Sequence, residues 1–321
     1  MTNVVGTDTH FSVTRRLALE DVDADGNTNV LTTNFVVKLE FPACTNFAGG
    51  DGTEATPWQI DNAPRLQLVS YLVSNDNTNY GSDHYDITAA NIDMGTPGLP
   101  FSEMGSRTPD EMETAGKGFV PIGTIFNAFS GTFDCLSNTI SGLYINRPMG
   151  GVGLMGQISG ATIKNCGLTD VKIVGNFETG GLVGGSANAT ISASYVTGAV
   201  TSSSNVGGLV GDLKGSEINS NSYAIVTVTG MSTNVGGLVG QMSLRSKITD
   251  SYAAGNIIGM DSNVGGLVGG MVFVPVGSFK FTSDVTNSYA TGNVTGMGAN
   301  VGGLVGGVKI LPSVLPMRQV M

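Results

Sequence analysis

The chain has 321 residues, 48 of them glycine, and a formal net charge of −10. The acidic excess lies in residues 1 to 150, whereas residues 151 to 321 hold 7 acidic and 8 basic side chains; without a basic stripe, nucleic acid is excluded as a partner. No run of 18 apolar residues occurs, which excludes a membrane-spanning helix, and the low charge and high glycine content favour turns and β structure.

Residues 1 to 47 are predicted to be a β-strand segment that ends a preceding module. Apolar and polar side chains alternate in residues 10 to 14 and 34 to 40, which is the period of a strand. Residues 1 to 9 do not have the pattern of a signal peptide. We therefore expect the signal of an exported protein to lie outside this sequence.

An acidic loop separates these two strands. Carboxylates recur at every second position and a glycine follows the third of them, an arrangement that directs several oxygens towards one hard cation such as calcium. Three carboxylates within five residues also repel one another unless a cation lies between them. The expected ligands are Asp21, Asp23, Asp25, Asn27 and Asn29.

The spacing of this loop resembles the calcium loops of integrin-type FG-GAP repeats. Those loops usually have aspartate at the ninth position, where this chain has Asn29. Thr32 stands where an EF-hand would need a bidentate glutamate, so an EF-hand is not expected. The alternative is an ordinary acidic turn, since Asp25-Gly26 is a turn signal by itself.

Residues 48 to 150 are predicted to form an N-terminal cap and irregular coils. Asn62 is suited to cap a helix over 63–74, and Leu66, Val69 and Leu72 give that helix one apolar stripe. We expect the helix to act as a lid on the first coil of a stack of strands, because an open sheet end would expose backbone and apolar side chains. Short strands are expected at 85–87, 91–93 and 120–123, and a long surface loop over 95–118.

The heptapeptide Asn-Val-Gly-Gly-Leu-Val-Gly then occurs four times, starting at Asn205, Asn234, Asn263 and Asn300. Each copy follows a Ser-Tyr dipeptide, and the repeating unit is about 28 residues long. A fixed period in this range is typical of a solenoid, in which each unit buries its apolar face only against its neighbours. The repeats are predicted to span 151–308, followed by a tail over 309–321.

Alternation within the unit predicts which side chains face the interior. Aligning the units on Ser-Tyr places small or aliphatic residues at one parity and tyrosines at the other. The fold class is therefore predicted to be an all-β, right-handed parallel β-helix, right-handed because parallel crossovers usually are. The four repeat asparagines are expected to form a ladder of amides, and the Gly-Gly pairs to provide positive φ or close approach. An apolar insertion over 271–280 is expected to bulge as a binding loop or to fold back onto its own coil.

Several segments beside the repeats have specific sequences: Gly-Thr-Glu-Ala-Thr-Pro-Trp-Gln-Ile at 52–60, Phe-Val-Pro-Ile-Gly at 119–123, Phe-Ser-Gly-Thr-Phe-Asp at 129–134 and Thr-Ile-Ser-Gly-Leu-Tyr-Ile-Asn at 139–146. With the Gly-Gly-Leu-Val-Gly cores, they resemble the GLUG-repeat family of bacterial surface proteins over about residues 48 to 308. The resemblance implies a large secreted or surface-attached protein of the kind often called an adhesin. GLUG repeats also accompany immunoglobulin A peptidases.

No catalytic motif is complete in this sequence. Residues 151–156 fit Gly-x-Gly-x-x-Gly, but residues 157–163 do not begin a helix, so a dinucleotide site is not expected. Only His10 and His84 are present, and neither belongs to a zinc-peptidase motif. The repeat acids fall at different places in their units and need not converge. The cysteines Cys44, Cys135 and Cys166 are expected to be buried small side chains.

The sequence therefore predicts a non-catalytic, adhesin-like repeat protein at a bacterial cell surface or outside the cell. It would present or space binding surfaces for a protein or glycan partner, with calcium as its one expected cofactor. The repeated outward side chains able to recognise a ligand are Tyr195, Tyr223, Tyr252 and Tyr289, unless they merely cover the sheet. The alternative is a polysaccharide-active β-helix enzyme, a lyase or hydrolase, with its site in the loop 95–118 or in sequence beyond this chain.

Overall fold

The computed structural model describes residues 6–7, 10–22, 28–39, 46–95, 117–276 and 279–311, with side chains described from residue 46 onward except at 274–281. Contacts between residues divide the chain into two units, Met1–Phe47 and Ala48–Met321. None of the helices in the described part of the chain is long and apolar enough to cross a membrane.

The first unit contains three strands, Gly6–Thr7, His10–Val22 and Thr28–Leu39, joined in one antiparallel sheet. The two long strands pair along their whole length, and Asp21 lies opposite Asn29 at the end of the ladder. The acidic loop therefore connects two paired strands. Asp23, Asp25 and Asn27 lie outside the described residues.

The second unit is a parallel β-solenoid of about 7 turns. Each repeat coil passes through four parallel sheets, which we number in the order in which the chain visits them from Gly150. Val183 pairs with Val210, Val210 with Val239, and Val239 with Val268, so successive coils are 27, 29 and 29 residues long. The prediction of an all-β parallel solenoid with coils near 28 residues is confirmed, and its handedness stays a prediction.

Each of the four sheets takes one strand or two from successive coils. Sheet 1 consists of Gly150–Val152, Phe177–Gly180, Ser204–Gly207, Val235–Gly236, Val264–Gly265 and Val301–Gly302. Sheet 2 consists of Met155–Ser159, Val183–Ala187, Val210–Lys214, Val239–Ser243, Val268–Val276 and Val305–Ile310, with Phe279–Phe281 added to Val268–Val276. Sheet 3 consists of Trp58–Ile60, His84–Ile87, Thr132–Asp134, Thr162–Lys164, Thr190–Ser192, Glu217–Asn219, Lys247–Thr249 and Asp284–Thr286. Sheet 4 consists of Asn91–Asp93, Thr139–Ser141, Tyr144–Asn146, Gly167–Val174, Tyr195–Ser202, Tyr223–Gly230, Tyr252–Ala253, Ile257–Gly259, Tyr289–Ala290 and Val294–Gly296.

The Gly-Gly pairs form the corner between sheets 1 and 2, where the backbone of neighbouring coils comes close. A Cβ at Gly207 would collide with the carbonyl oxygen of Val210, and one at Gly208 with that of Gly237. Neither glycine has a positive φ; the repeat asparagines have it instead, with φ of 47° at Asn205 and 64° at Asn234. Close approach, rather than left-handed backbone, is therefore the reason for glycine here.

A column of small side chains runs through the interior at the turn from sheet 3 to sheet 4. Ser194 Oγ accepts the N–H of Cys166 at 3.1 Å, and Ser222 Oγ accepts the N–H of Ser194 at 3.3 Å. Each buried serine thus satisfies a backbone donor of the preceding coil.

In the first two coils of this column, a disulfide between Cys135 and Cys166 replaces the serines. Both cysteines are fully buried, as predicted. The prediction that they are simply small buried side chains is nevertheless incomplete, because stacking of consecutive coils brings the two sulfurs together. Cys44 lies outside the described residues.

A helix, α1 (Ala63–Asn75), covers the beginning of the solenoid, and the short helix α2 (Asn77–Tyr80) follows it. Asn62 caps α1 by accepting the N–H of Arg65 at 3.0 Å, which confirms the predicted start. The buried stripe is Leu66, Val69 and Val73; the predicted third member, Leu72, is only half-buried, since Val73 continues the helical period.

The segment 117–131 lies between α1 and the first strand of sheet 2. Ser70 Oγ donates to the carbonyl of Pro121 at 3.0 Å, while Ile122 and Phe129 form single bridges with Met155 and Ile158. The predicted strand 120–123 is wrong, because Pro121 has no N–H to continue a ladder. The predicted loop 95–118 lies almost wholly outside the described residues.

The insertion after Gly270 remains partly in the solenoid wall. Sheet 2 pairing continues as far as Phe273, which lies opposite Ile310. Beyond it, Val274–Val276 pairs antiparallel with Phe279–Phe281, so the insertion is a hairpin.

The last described coil is more open than the others. Val301 is 45% exposed and Leu304 39% exposed, although the equivalent Val264 and Leu267 of the preceding coil are buried. Interior positions of this coil are therefore accessible to solvent.

Candidate functional site

The outward tyrosines of sheet 4 form one continuous column. Tyr195, Tyr223, Tyr252 and Tyr289 are paired in register from coil to coil. Their ring centroids are 4.9, 4.8 and 5.0 Å apart, and neighbouring ring planes are inclined by only 6°, 8° and 3°. The stacking follows directly from parallel strands, which place identical residues one strand spacing apart.

The tyrosine rings lean towards the N-terminal end of the solenoid. Gly167 occupies the tyrosine position in the preceding coil, and a Cβ there would come within 2.6 Å of Cζ and the hydroxyl of Tyr195. The ring of Tyr195 therefore lies across Gly167, and the near-parallel planes repeat this inclination along the column. Neighbouring rings therefore form an offset stack, in which part of one face of each ring is turned towards solvent.

The column is accessible but partly desolvated. Tyr195, Tyr223 and Tyr252 are half-buried, and Tyr289 is 53% exposed. Partial burial, with neighbouring phenols as the next cause, raises the pKa of Tyr223 and Tyr252. Their hydroxyls consequently stay protonated and neutral at physiological pH, where they can both donate and accept hydrogen bonds.

Three further outward columns lie beside the tyrosines on sheet 4. We call these four columns together the tyrosine face. Besides the tyrosines, it consists of Thr197, Ile225, Ala254 and Thr291, then Ala199, Thr227, Asn256 and Asn293, then Thr201, Thr229, Ile258 and Thr295. All of these positions are half-buried or exposed.

The repeat asparagines form the predicted ladder at the start of sheet 1. Nδ2 of Asn234 donates to Oδ1 of Asn205 at 2.8 Å, Asn263 to Asn234 at 2.9 Å, and Asn300 to Asn263 at 3.0 Å. Every amide donates towards the N-terminal neighbour, so the ladder has a direction. It fastens consecutive coils to one another at this corner.

A charged cluster lies on sheets 1 and 2, in the coils at the N-terminal end of the asparagine ladder. Lys214 Nζ donates to Asp212 Oδ2 at 2.8 Å and to Glu178 Oε1 at 3.1 Å, and Gln157 Nε2 donates to Glu178 Oε2 at 2.7 Å. The four side chains connect three consecutive coils. They cross above Gly185, where a Cβ would come within 2.6 Å of the Gln157 amide.

Asp212 is the unusual member of this cluster. Its side chain is almost fully buried, and Oδ1 has no hydrogen-bond partner among the described residues. Burial raises the pKa of Asp212 to about 6, although Lys214 opposes the shift. Lys214 is held protonated, because Asp212 and Glu178 raise its pKa against the effect of burial.

A protonated lysine and a buried carboxylate do not provide an accessible general base. The cluster was not predicted from the sequence. The signal for it was Gly185, which lies between the polar residues Gln157 and Asp212 in one column of sheet 2.

Two of the repeat acids do share a column, contrary to the prediction that they fall at different places. Glu217 and Asp284 lie on either side of Lys247 in sheet 3. Among the residues whose side chains are described, no group of three or more His, Cys, Asp or Glu side chains could hold a metal ion. Calcium at Asp21 and its neighbours stays a prediction.

Comparison with known proteins gives one relative to report. The chain is 32% identical to halomucin of Haloquadratum walsbyi (strain DSM 16790 / HBSQ001) over 218 residues. The match covers 64% of this chain and 2% of halomucin, so the chain spans only about 2% of the curated relative it matches. No family model and no solved structure matches the chain. The resemblance to the GLUG-repeat family therefore rests on its motifs alone.

Proposed function

We propose that this chain is a non-catalytic repeat segment of an extracellular or cell-surface protein, in which the solenoid spaces and presents an adhesin-like contact surface. The observation that carries the proposal is the tyrosine column, which repeats the same outward ring at every coil from Tyr195 to Tyr289. A rigid array of identical groups suits weak contacts that add up along an extended partner.

Two further observations support a location outside the cytoplasm. The Cys135–Cys166 disulfide fits an oxidising compartment, because the cytosol keeps most thiols reduced. The likeness to halomucin suggests a surface protein. Calcium bound between the two strands of the first unit would agree with the same location.

The non-catalytic part of the proposal is supported by the repeat acids. Asp212 is buried against Lys214, and Glu217 and Asp284 are separated by Lys247. In each arrangement a lysine lies beside or between the carboxylates, whereas a polysaccharide hydrolase needs two carboxyl groups exposed together to the polymer. This weakens the alternative of a polysaccharide-active enzyme.

The proposal is tested on cells of the source organism. Antibodies raised against residues 151–308 are applied to intact and to permeabilised cells, and intact cells are treated with an added protease. We expect labelling of intact cells and loss of the antigen on protease treatment. Labelling that appears only after permeabilisation would contradict the proposal.

A further inference from the structure

The tyrosine face has no charged side chain at any of its sixteen outward positions between Tyr195 and Thr295. Residues 151 to 321 hold 7 acidic and 8 basic side chains, so one or two charged residues among sixteen positions would be ordinary. Sheets 2 and 3 of the same coils do carry charged side chains. In the same coils, sheet 3 presents Glu217, Lys247 and Asp284 among its eight outward positions from 190 to 286.

The chemistry of the face is that of hydroxyls, amides and tilted aromatic rings. Threonine occupies six of the sixteen positions, asparagine two and tyrosine four. Ile225, 45% exposed, is the large aliphatic side chain most exposed among the described residues of the face. The tyrosine column is one ring wide and most of its neighbours are threonine, asparagine or alanine, so the face lacks the broad apolar core that a stable protein interface buries. An anionic polymer would look for lysine or arginine, which are absent here.

We propose that the tyrosine face binds a neutral polysaccharide in an extended conformation, with the polymer lying along the solenoid axis. This inference rests on the proposed function and names the class of its partner. Tyrosines recur every 4.8 to 5.0 Å along that axis. That interval is close to the advance of one sugar in an extended β-linked chain, so one polymer can repeat its contacts at successive coils.

The contacts follow from the geometry of the rings. Each ring leans over the preceding coil and turns part of one face outward, and the C–H groups of a pyranose pack on such an electron-rich face. The neighbouring column contributes the hydroxyls of Thr197 and Thr291, and the next column contributes the exposed Thr227, Asn256 and Asn293, as donors and acceptors for sugar hydroxyls. No charge has to be desolvated when the neutral polymer binds, which lowers the cost of contact.

The experiment is native affinity electrophoresis of the whole chain in gels that contain one soluble polysaccharide each. The neutral set is hydroxyethylcellulose, xyloglucan, glucomannan and dextran, and the anionic set is alginate and polygalacturonate. We expect retardation by at least one neutral β-linked polymer and none by the anionic ones. The double variant Tyr223→Ala/Tyr252→Ala should bind at least about tenfold more weakly, equal to a loss of about 1.4 kcal/mol.

Two further variants make the result specific. Tyr71→Ala removes an exposed tyrosine of α1, away from the face, and should bind like the unmodified chain. Thr227→Glu adds a charge at an exposed position without touching the tyrosine stack, and should weaken binding while leaving the melting temperature unchanged.

The inference is overturned if no neutral polymer retards the chain, if retardation needs an anionic polymer, or if the double variant binds like the unmodified chain. Sedimentation of the free chain as an oligomer that dissociates in the double variant would assign the face to a second copy instead. Surface labelling of cells is measured independently, so a chain found at the surface without polysaccharide binding overturns this inference alone.

Discussion

The ring of Tyr195 lies across Gly167 of the preceding coil, so the first ring of the tyrosine column packs against backbone that carries no side chain. Gly167→Ala should displace the ring and lower the free energy of unfolding by about 0.5 to 1.5 kcal/mol, the range expected for a stacked aromatic contact. Urea unfolding measures this. In a Tyr195→Ala background the same substitution should cost much less; equal costs in both backgrounds would show that the ring is not what Gly167 accommodates.

Asp212 should lower the free energy of unfolding as the pH rises, which is the reverse of the usual effect of a carboxyl group in a folded protein. The folded-state pKa of about 6 is above the ordinary value of 3.8, so the folded protein binds this proton more tightly than the unfolded chain. The contribution of Asp212 to stability is therefore greatest below about pH 4 and is lost as the pH rises to about 6.

Asp212→Asn should remove this loss, making the variant more stable relative to the unmodified chain at pH 7.5 than at pH 4 by on the order of 1 to 3 kcal/mol. Urea unfolding at both pH values is the measurement, with exposed Asp250→Asn as the matched control. Identical pH profiles for the Asp212 variant and the unmodified chain would contradict the assignment.

The disulfide should stabilise the first coils by restricting the unfolded chain. Cys135 and Cys166 are 31 residues apart, and closing a loop of that size is worth about 2 to 4 kcal/mol. Cys135→Ser/Cys166→Ser should still fold, because serine occupies the same column in later coils, but should unfold at lower urea. Cys44→Ser is the control. Unchanged stability of the double variant, or free thiols at both positions in the secreted protein, would refute the pairing.

Asn234 has two separable roles, a left-handed backbone and two rungs of the amide ladder. Asn234→Gly keeps the left-handed backbone but loses the ladder contacts and the hydrogen bond to Gln241, and should cost about 1 to 2 kcal/mol. Asn234→Ala loses the amide too but keeps a Cβ at φ 64°, a conformation that asparagine tolerates better than alanine, and should cost about 1 kcal/mol more than the glycine variant. Thermal unfolding of both variants provides the comparison; equal melting temperatures would mean that the left-handed backbone carries no cost.

Calcium is expected to stabilise the first unit through the acidic loop that joins its two long strands. An ion that binds only the folded state raises the melting temperature, so a chelator should lower it for the transition of Met1–Phe47. Asp23→Asn/Asp25→Asn should abolish the response to calcium. A transition that is the same with calcium and with chelator would leave an acidic turn as the correct interpretation.

Much of the solenoid could be predicted because the same residue type recurs at the same place in every coil. The outward tyrosines, the inward serines and the asparagine ladder were all visible as columns once the repeats were aligned. The helix start at Asn62 was also predictable, since capping depends on a few neighbouring residues.

Features that need two different coils to be placed in register were missed. The disulfide becomes predictable only if the column of Ser194 is extended back through Cys166 to Cys135. The contact of Glu178 with Lys214 joins different sheets of neighbouring coils, and the alternation within a single strand says nothing about it. Glu217 and Asp284 were misplaced because the insertion between their coils hides the shared column.

The Cys135–Cys166 disulfide joins two consecutive coils covalently, and the tyrosine stack begins in the coil after Cys166, at Tyr195. Because each coil is stabilised by its neighbours, a covalent link at one place limits how far a local opening can spread through the stack. The rings of Tyr195 and Tyr223, which lie close to the link, should therefore stay stacked under conditions in which the more distant rings of Tyr252 and Tyr289 have begun to separate.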